Sequence, residues 1–208
     1  MTNLQYPLEH FGVGVGAITG VLAARGKKVD LFGVMVLALV TAFGGGTLRD
    51  LLVADLPVIW MRDPSFLFNA SAVAVATFFI ARVRPFPRVV LLVADALALA
   101  LFTIIGTKKA LGVPTGPSVA VALGVITGVA GGVMRDVLAG EIPLVFRQEI
   151  YLYATAAMCG AAAFVWLDRW SLGEPLHWLA SAGLILALRL AAIRWKLALP
   201  VFHSHPDE

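Results

Sequence analysis

Seven apolar stretches alternate along the chain with short connectors that carry charge, proline or both. A helix that crosses the hydrocarbon core of a bilayer needs roughly 20 mostly apolar residues. Four uncharged runs meet that requirement: Leu31–Leu48, Pro64–Ala81, Ala110–Met134 and Ile150–Leu167. Three more are shorter or interrupted. Val89–Thr107 holds one charge, Asp95, and Leu8–Ala24 is rich in glycine and opens on Glu9 and His10. Pro175–Ile193 has His177 near one end and Arg189 near the other, from which both are expected to snorkel toward headgroups. The pattern predicts an all-α polytopic membrane protein with seven transmembrane helices in a single membrane domain, its loops too short for a soluble domain.

Composition sharpens this picture. Of 208 residues, 60% are apolar and only 14% charged, and the mean hydropathy is +0.88. A water-facing surface takes about 25% charged residues, so most of the outer surface must meet lipid. The net charge of +3 reflects loop charges rather than a nucleic-acid surface. With the N-terminus outside, the cytoplasmic segments hold Arg25, Lys27, Lys28, Arg82, Arg84, Arg88, Arg147, Arg189, Arg194 and Lys196. The external loops hold Arg62, Lys108, Lys109 and Arg169. Cytoplasmic loops carry the excess of Lys and Arg, which favours an external N-terminus and a cytoplasmic C-terminus. The N-terminal segment lacks the basic start of a secretory signal. A single cysteine, Cys159, excludes an intrachain disulfide and reads as a small packing residue.

The chain repeats itself. Gly45–Pro57, GGTLRDLLVADLP, realigns on Gly131–Pro143, GGVMRDVLAGEIP, at a constant offset of 86, with six of thirteen positions identical. Asp55 falls on Glu141, and RGKK at Arg25–Lys28 is echoed by GTKK at Gly106–Lys109. The unit holds three spans, an odd number, so the second copy enters from the opposite face: an inverted pair, about 8–84 and 88–168. The seventh helix, about 175–196, falls outside and is expected to be a packing helix.

Candidate chemistry concentrates in the doubled motif. Gly44, Gly45 and Gly46, and Gly131 and Gly132, lie in the second halves of apolar runs. Each glycine weakens a helix by about 1 kcal/mol relative to alanine, so the clusters predict a kink or an unwound turn. Carbonyls freed in hydrocarbon must meet protein, water or an ion, which makes those near Gly44 and Gly131 candidate transient sites for a monovalent cation. Close helix packing is the alternative reading of such glycines, and the preferred one for Gly12, Gly14, Gly16 and Gly20. Thr41 and Thr127, one turn earlier, can line the same path. Arg49–Asp50 and Arg135–Asp136 follow at a depth where charges pair or face an aqueous route. Adjacent helical residues point about 100° apart, so a cross-repeat pairing is expected, Arg49 with Asp136 and Arg135 with Asp50. Asp95 is the other acidic candidate for one of the arginines. These charges can serve as a structural lock, a gate, or both. His203 and His205 are read as a solvated tail. No phosphate-binding loop, nucleophile elbow or His-Glu-x-x-His helix is present, so neither an enzyme nor a cofactor is expected.

The twin GGGTLRD and GGVMRD motifs, the three-plus-three repeat and the lone seventh span resemble the prokaryotic branch of the trimeric intracellular cation (TRIC) channels, over roughly Leu8 to Trp195. The resemblance implies a homotrimer in membrane lipid with one pore per protomer, conducting K+, and Na+ as a second monovalent cation. It also implies that the second and fifth helices kink at the motif glycines and line the pore. Ala130 stands where a full triple glycine would begin the second motif. The animal members' Lys-Glu-Val signature has no clear counterpart here. Inverted repeats with broken helices also typify carriers, and the same domain family has carried a label as a glycine transporter, so a secondary transporter of glycine or another small amino acid is the alternative.

Overall fold

The computed structural model describes residues 5–114, 116–147, 152–170 and 174–197. They form eight α-helices and one 3-10 turn: α1 (Gln5–Ala23), α2 (Leu31–Leu52), α3 (Ile59–Arg62), α4 (Ser65–Val83), α5 (Arg88–Leu111), α6 (Pro117–Leu138), the turn Leu144–Phe146, α7 (Tyr153–Arg169) and α8 (Glu174–Trp195). Five of them, α2, α4, α5, α6 and α8, are long and apolar enough to cross a membrane. The other two long helices are α1, diluted by Glu9, His10 and glycine, and α7, which has 17 residues.

Local chemistry sets the ends. The apolar run Ala110–Met134 is split: α5 stops at Leu111 and α6 starts at Pro117, a first-turn position where the missing N–H of proline does no harm. Asp30 caps α2 by accepting from the Gly33 amide at 2.8 Å. Helix α2 also continues past Leu48 to Leu52, so Arg49 and Asp50 lie within its last turn and a half.

Helix α1 packs on α2 and α4 as α5 packs on α6 and α7, and the halves meet along α1–α5 and α2–α6. Each half has its own apolar core, one around Val13, Leu37 and Phe66, the other around Leu99, Ile104 and Phe164. Helix α8 adds only to the second half, against α5 and α7. There Ile185 fills the notch left by Gly160. His177 and Arg189 do not snorkel. Both are buried: His177 packs edge-on against Phe164, and the Arg189 guanidinium lies 4.6 Å from the Tyr153 ring centre. Burial against α7 gives each an aromatic face, which open lipid would not. Cys159 is exposed on α7 rather than packed inside. Phe32, Phe68, Phe79, Leu176 and Leu179 also point outward, as a lipid-facing belt requires.

The two motif helices end alike. The amides of Ala54 and Asp55 reach back to Leu51 O and Asp50 O, and those of Gly140 and Glu141 to Val137 O and Asp136 O. This is a Schellman close, whose residue beyond the cap takes a left-handed backbone. Gly140 has φ +69° and Ala54 has φ +54°. A side chain in that region costs roughly 1 kcal/mol or more. Gly140→Ala should therefore destabilise the protein by about 1 kcal/mol and Ala54→Gly should stabilise it by up to that amount, as read from paired melting curves in detergent.

Candidate functional site

The site begins where α2 crosses α6. A Cβ on Gly45 would collide with the Thr127 carbonyl oxygen, and one on Gly131 with the Thr41 carbonyl oxygen. Adding 86 to the first pair, Gly45 and Thr41, produces the second, Gly131 and Thr127, so the crossing is antiparallel and two-fold symmetric. Its geometry suits Cα–H contacts to carbonyl oxygen. The α-helical backbone runs through Gly44–Gly46 and Gly131–Gly132 without an unwound turn. This corrects the expectation of freed carbonyls near Gly44 and Gly131. At Gly45 and Gly131 the missing side chain lets the helices touch, and the carbonyls stay within helical hydrogen bonding. Gly44 faces Met134 instead, and Gly46 has only Arg49 nearby, at 3.9 Å.

Beside the crossing lies a slot of about 10 Å³, lined by Thr41, Gly45, Gly46, Asp95, Thr127, Gly131 and Gly132 among others. That volume is about the least that holds one water. Thr41 and Thr127 each donate their hydroxyl to their own helix, to Leu37 O at 2.5 Å and Leu123 O at 2.6 Å, which leaves oxygen lone pairs for the slot.

The motif arginines pair within their own repeats, not with the opposite repeat's motif aspartate. Arg49 Nε donates to Asp50 Oδ1 at 2.8 Å, and Arg135 Nε to Asp136 Oδ1 at 2.8 Å. Neighbouring Cβ atoms diverge, but the arginine's three methylenes are long enough to fold the guanidinium back. Arg135 also donates from Nη1 to Asp95 Oδ1 at 2.9 Å and has no exposed surface. A Cβ on Gly132 would meet Tyr153 Oη at 3.2 Å, Asp95 Oδ1 at 3.5 Å and Arg135 Nη2 at 3.7 Å. The glycine thus gives the clasp its room. The second oxygen of each motif aspartate has a different task. Asp50 Oδ2 accepts from the Ile59 amide at 3.3 Å, and Asp136 Oδ2 from the Leu144 amide at 2.8 Å. Each binds the start of the short turn that follows its proline.

Cross-repeat pairing does occur, between residues not expected to make it. Lys109 Nζ bridges Asp50 at 2.6 Å and Asp55 at 2.5 Å, while Lys27 Nζ meets Glu141 at 2.5 Å. Arg62 joins Asp55 at 2.7 Å, and Arg147 joins Glu141 at 3.0 Å. The RGKK and GTKK echoes therefore supply one lysine each to the opposite repeat's second acid. Lys27, Arg25, Arg88 and Arg147 line a vestibule of about 390 Å³ that reaches Asp136. On the Lys109 face, Glu9 and Arg49 line a pocket of about 20 Å³. Sequence reading passed over Lys27, Lys109, Tyr153 and Glu9 as site residues. The offset of 86 was a usable signal for Glu9, because it sets that residue on Asp95. No group of three or more potential metal-ligating side chains occurs among the described residues, and His203 and His205 lie outside them.

Two measurements test this geometry. Gly45→Ala and Gly131→Ala should each cost about 1–3 kcal/mol through overpacking, whereas Gly46→Ala should be neutral or gain up to about 1 kcal/mol of helix propensity. Melting curves in detergent separate the two groups. At the rim, Arg62 and then Lys109 hold the Asp55 carboxyl down to about 2. A depressed carboxylate adds stability above its ordinary pKa and loses it as pH falls toward the folded-state value. The stability difference between wild type and Asp55→Asn should thus be full at pH 6 and vanish between about pH 4 and pH 2.

A family described as glycine transporter matches the chain twice, over residues 6–82 and 92–169. The UPF0126 inner membrane protein YadS of Escherichia coli K12 is 45% identical over 202 residues, 96% of each chain. A TRIC trimeric intracellular cation channel orthologue from Rhodobacter sphaeroides superposes with a TM-score of 0.89 at 39% identity, covering 94% of this chain and 100% of that one. A structure described as the basis for conductance through TRIC cation channels superposes at 0.87 with 31% identity over the whole of both chains. The chain belongs to this family of twice-repeated membrane proteins, the one that includes the prokaryotic TRIC channels.

Proposed function

We propose that the chain is a monovalent cation channel of the bacterial inner membrane, conducting K+ through a path within each protomer of a homotrimer. The observation that carries this reading is the polar slot on the two-fold crossing, in a fold shared with TRIC cation channels. Seven spans form the domain, as inverted repeats over about 8–84 and 88–168 with α8 outside them. The Lys109 face and the N-terminus lie outside and the basic vestibule in the cytoplasm in this reading, which the excess of Lys and Arg on the vestibule side supports. Thr41, Thr127, Gly45, Gly46, Gly131, Gly132 and Asp95 line the constriction, while Arg49–Asp50 and Arg135–Asp136 flank it.

The ion route does not depend on broken helices. It follows the α2–α6 seam, where threonine oxygens and Asp95 provide the polar wall. A slot this narrow cannot pass a hydrated cation, so conduction requires α2 and α6 to part. Glycines at the contact suit that motion, since they interdigitate no side chains.

The family's description as glycine transporter supports a second reading, a carrier of a small amino acid. Purified protein in planar bilayers should give currents whose reversal potential follows the K+ gradient. Saturable glycine uptake without single-channel events would overturn the channel assignment. Asp50→Asn and Asp136→Asn should each change conductance or trimer yield severalfold. Wild-type currents together with wild-type trimer yield in both would remove these charges from the mechanism.

A further inference from the structure

The two repeats hold the same device in different settings. In the second, Arg135 joins its neighbour Asp136 and reaches across to Asp95 on α5. In the first, Arg49 makes the equivalent bond to Asp50, both Nε and Nη2 resting on the same oxygen, Oδ1. Its cross-helix partner by the offset of 86 is Glu9 on α1. Glu9 is as buried as Asp95, each with 4% of its surface exposed. Its Oε1 accepts from Gln5 at 3.1 Å, and its Oε2 has no hydrogen-bond partner among the described residues.

Helix register puts Glu9 within reach of Arg49. A Cβ on Gly16 would lie 3.0 Å from Ala42 Cα, and one on Gly20 2.5 Å from Ala38 Cα. Four residues forward on α1 thus match four back on α2, an antiparallel step. Seven back from Gly16 is Glu9, and seven forward from Ala42 is Arg49. The two side chains share a small apolar pocket with Phe43, Phe66 and Phe102. A bare carboxylate oxygen among aromatic rings is a setting that a guanidinium satisfies twice, by charge-assisted hydrogen bonds and by cation–π contact. The pocket also shares Ala42, Gly46 and Phe102 with the central slot, whereas the basic vestibule shares no lining residue with it. Between the vestibule, which Asp136 lines, and the slot, which Asp95 lines, stands Arg135, bonded to both.

We propose that Glu9 is the alternate partner of Arg49, and that an Arg49–Glu9 clasp closes the outer end of the path as Arg135–Asp95 closes the inner end. While Arg49 moves, Lys109 keeps Asp50 neutralised, since it already contacts that carboxylate at 2.6 Å. The inference rests on the channel reading for its flux test but not for its structural one.

Potassium efflux from liposomes is compared for wild type and Glu9→Gln, both checked for an intact oligomer by gel filtration. Loss of the outer closure should raise the flux of Glu9→Gln threefold or more. Unchanged or reduced flux in an intact oligomer overturns the proposal. The second test puts Glu9→Cys and Arg49→Cys together in a Cys159→Ala background and adds a short reducible bis-thiol cross-linker, whose span matches a Glu–Arg pair better than a disulfide does. A cross-link that forms, stops flux and releases it on reduction is expected. No cross-link overturns the proposal even where Glu9→Gln fails to fold. A wild type that carries no potassium strikes the channel reading alone, because cross-linking reports the pairing without any flux.

Discussion

A fully buried guanidinium in a membrane-spanning helix has to be neutralised by protein, and the structure is arranged around that requirement at Arg135. An ionised side chain deep in hydrocarbon is costly by several kcal/mol unless paired. Asp136 supplies one partner from the next residue, and Asp95 supplies another from α5. The clasp therefore ties α5 to α6, and the Asp136–Leu144 bond ties α6 to the turn that leads toward α7. Gly132 is part of the same constraint, since its missing side chain leaves the space in which Tyr153, Asp95 and Arg135 converge. The glycines and the charges of the motif are thus one construction.

The two-fold relation explains much that looks redundant. One crossing contact maps onto the other, one helix close onto the other, and Lys109–Asp55 onto Lys27–Glu141. Departures from the symmetry are more informative. In the first half, α1 supplies Gly16 and Gly20 against the alanines of α2. In the second, α6 supplies Gly124 and Gly128 against Thr107 and Thr103 of α5. Gly106 of α5 also meets Thr127 of α6, so the close approach takes its glycines from one helix in the first half and from both in the second. Helix α8 and the cation–π contact of Arg189 buttress only the second half. Identical backbone plans therefore carry unequal side-chain loads, and the clasp is fully engaged on one side only.

Hydrophobic run length and the doubled motif made the fold class and the pairing of halves legible from sequence, because both follow from one-dimensional pattern. Thr41, Gly45, Thr127, Gly131 and Asp95 all border one slot. Two things were not legible. Helical continuity through Gly44–Gly46 depends on α6 packing against that stretch, and tertiary packing outweighs a per-residue propensity of about 1 kcal/mol. Partner choice for Arg49 and Arg135 depends on side-chain reach, which the angular position of Cβ does not report. The burial of His177 and Arg189 was hidden for a related reason: each meets an aromatic ring of α7, a contact that the pattern of one helix does not report.

Channel and carrier differ in whether both ends of a path can stand open together. In an inverted pair the end closures are related by the same axis as the helices, so a closure made on one side has a counterpart prepared on the other. Here one clasp draws on Asp95, and its counterpart by the repeat, Glu9, keeps a carboxylate oxygen unused. If the two clasps were rigidly coupled, the protein would alternate; if each opened on its own, it would conduct. The halves meet along α2–α6, which carries Arg49 and Arg135, and along α1–α5, which carries Glu9 and Asp95, so coupling would have to pass through one or both. At the α2–α6 crossing the contact is backbone against backbone at Gly45 and Gly131, with the Met134 side chain packed on Gly44 beside it. A crossing held by so few side chains transmits little rotation from one helix to the other, which favours independent gates and, with them, a channel.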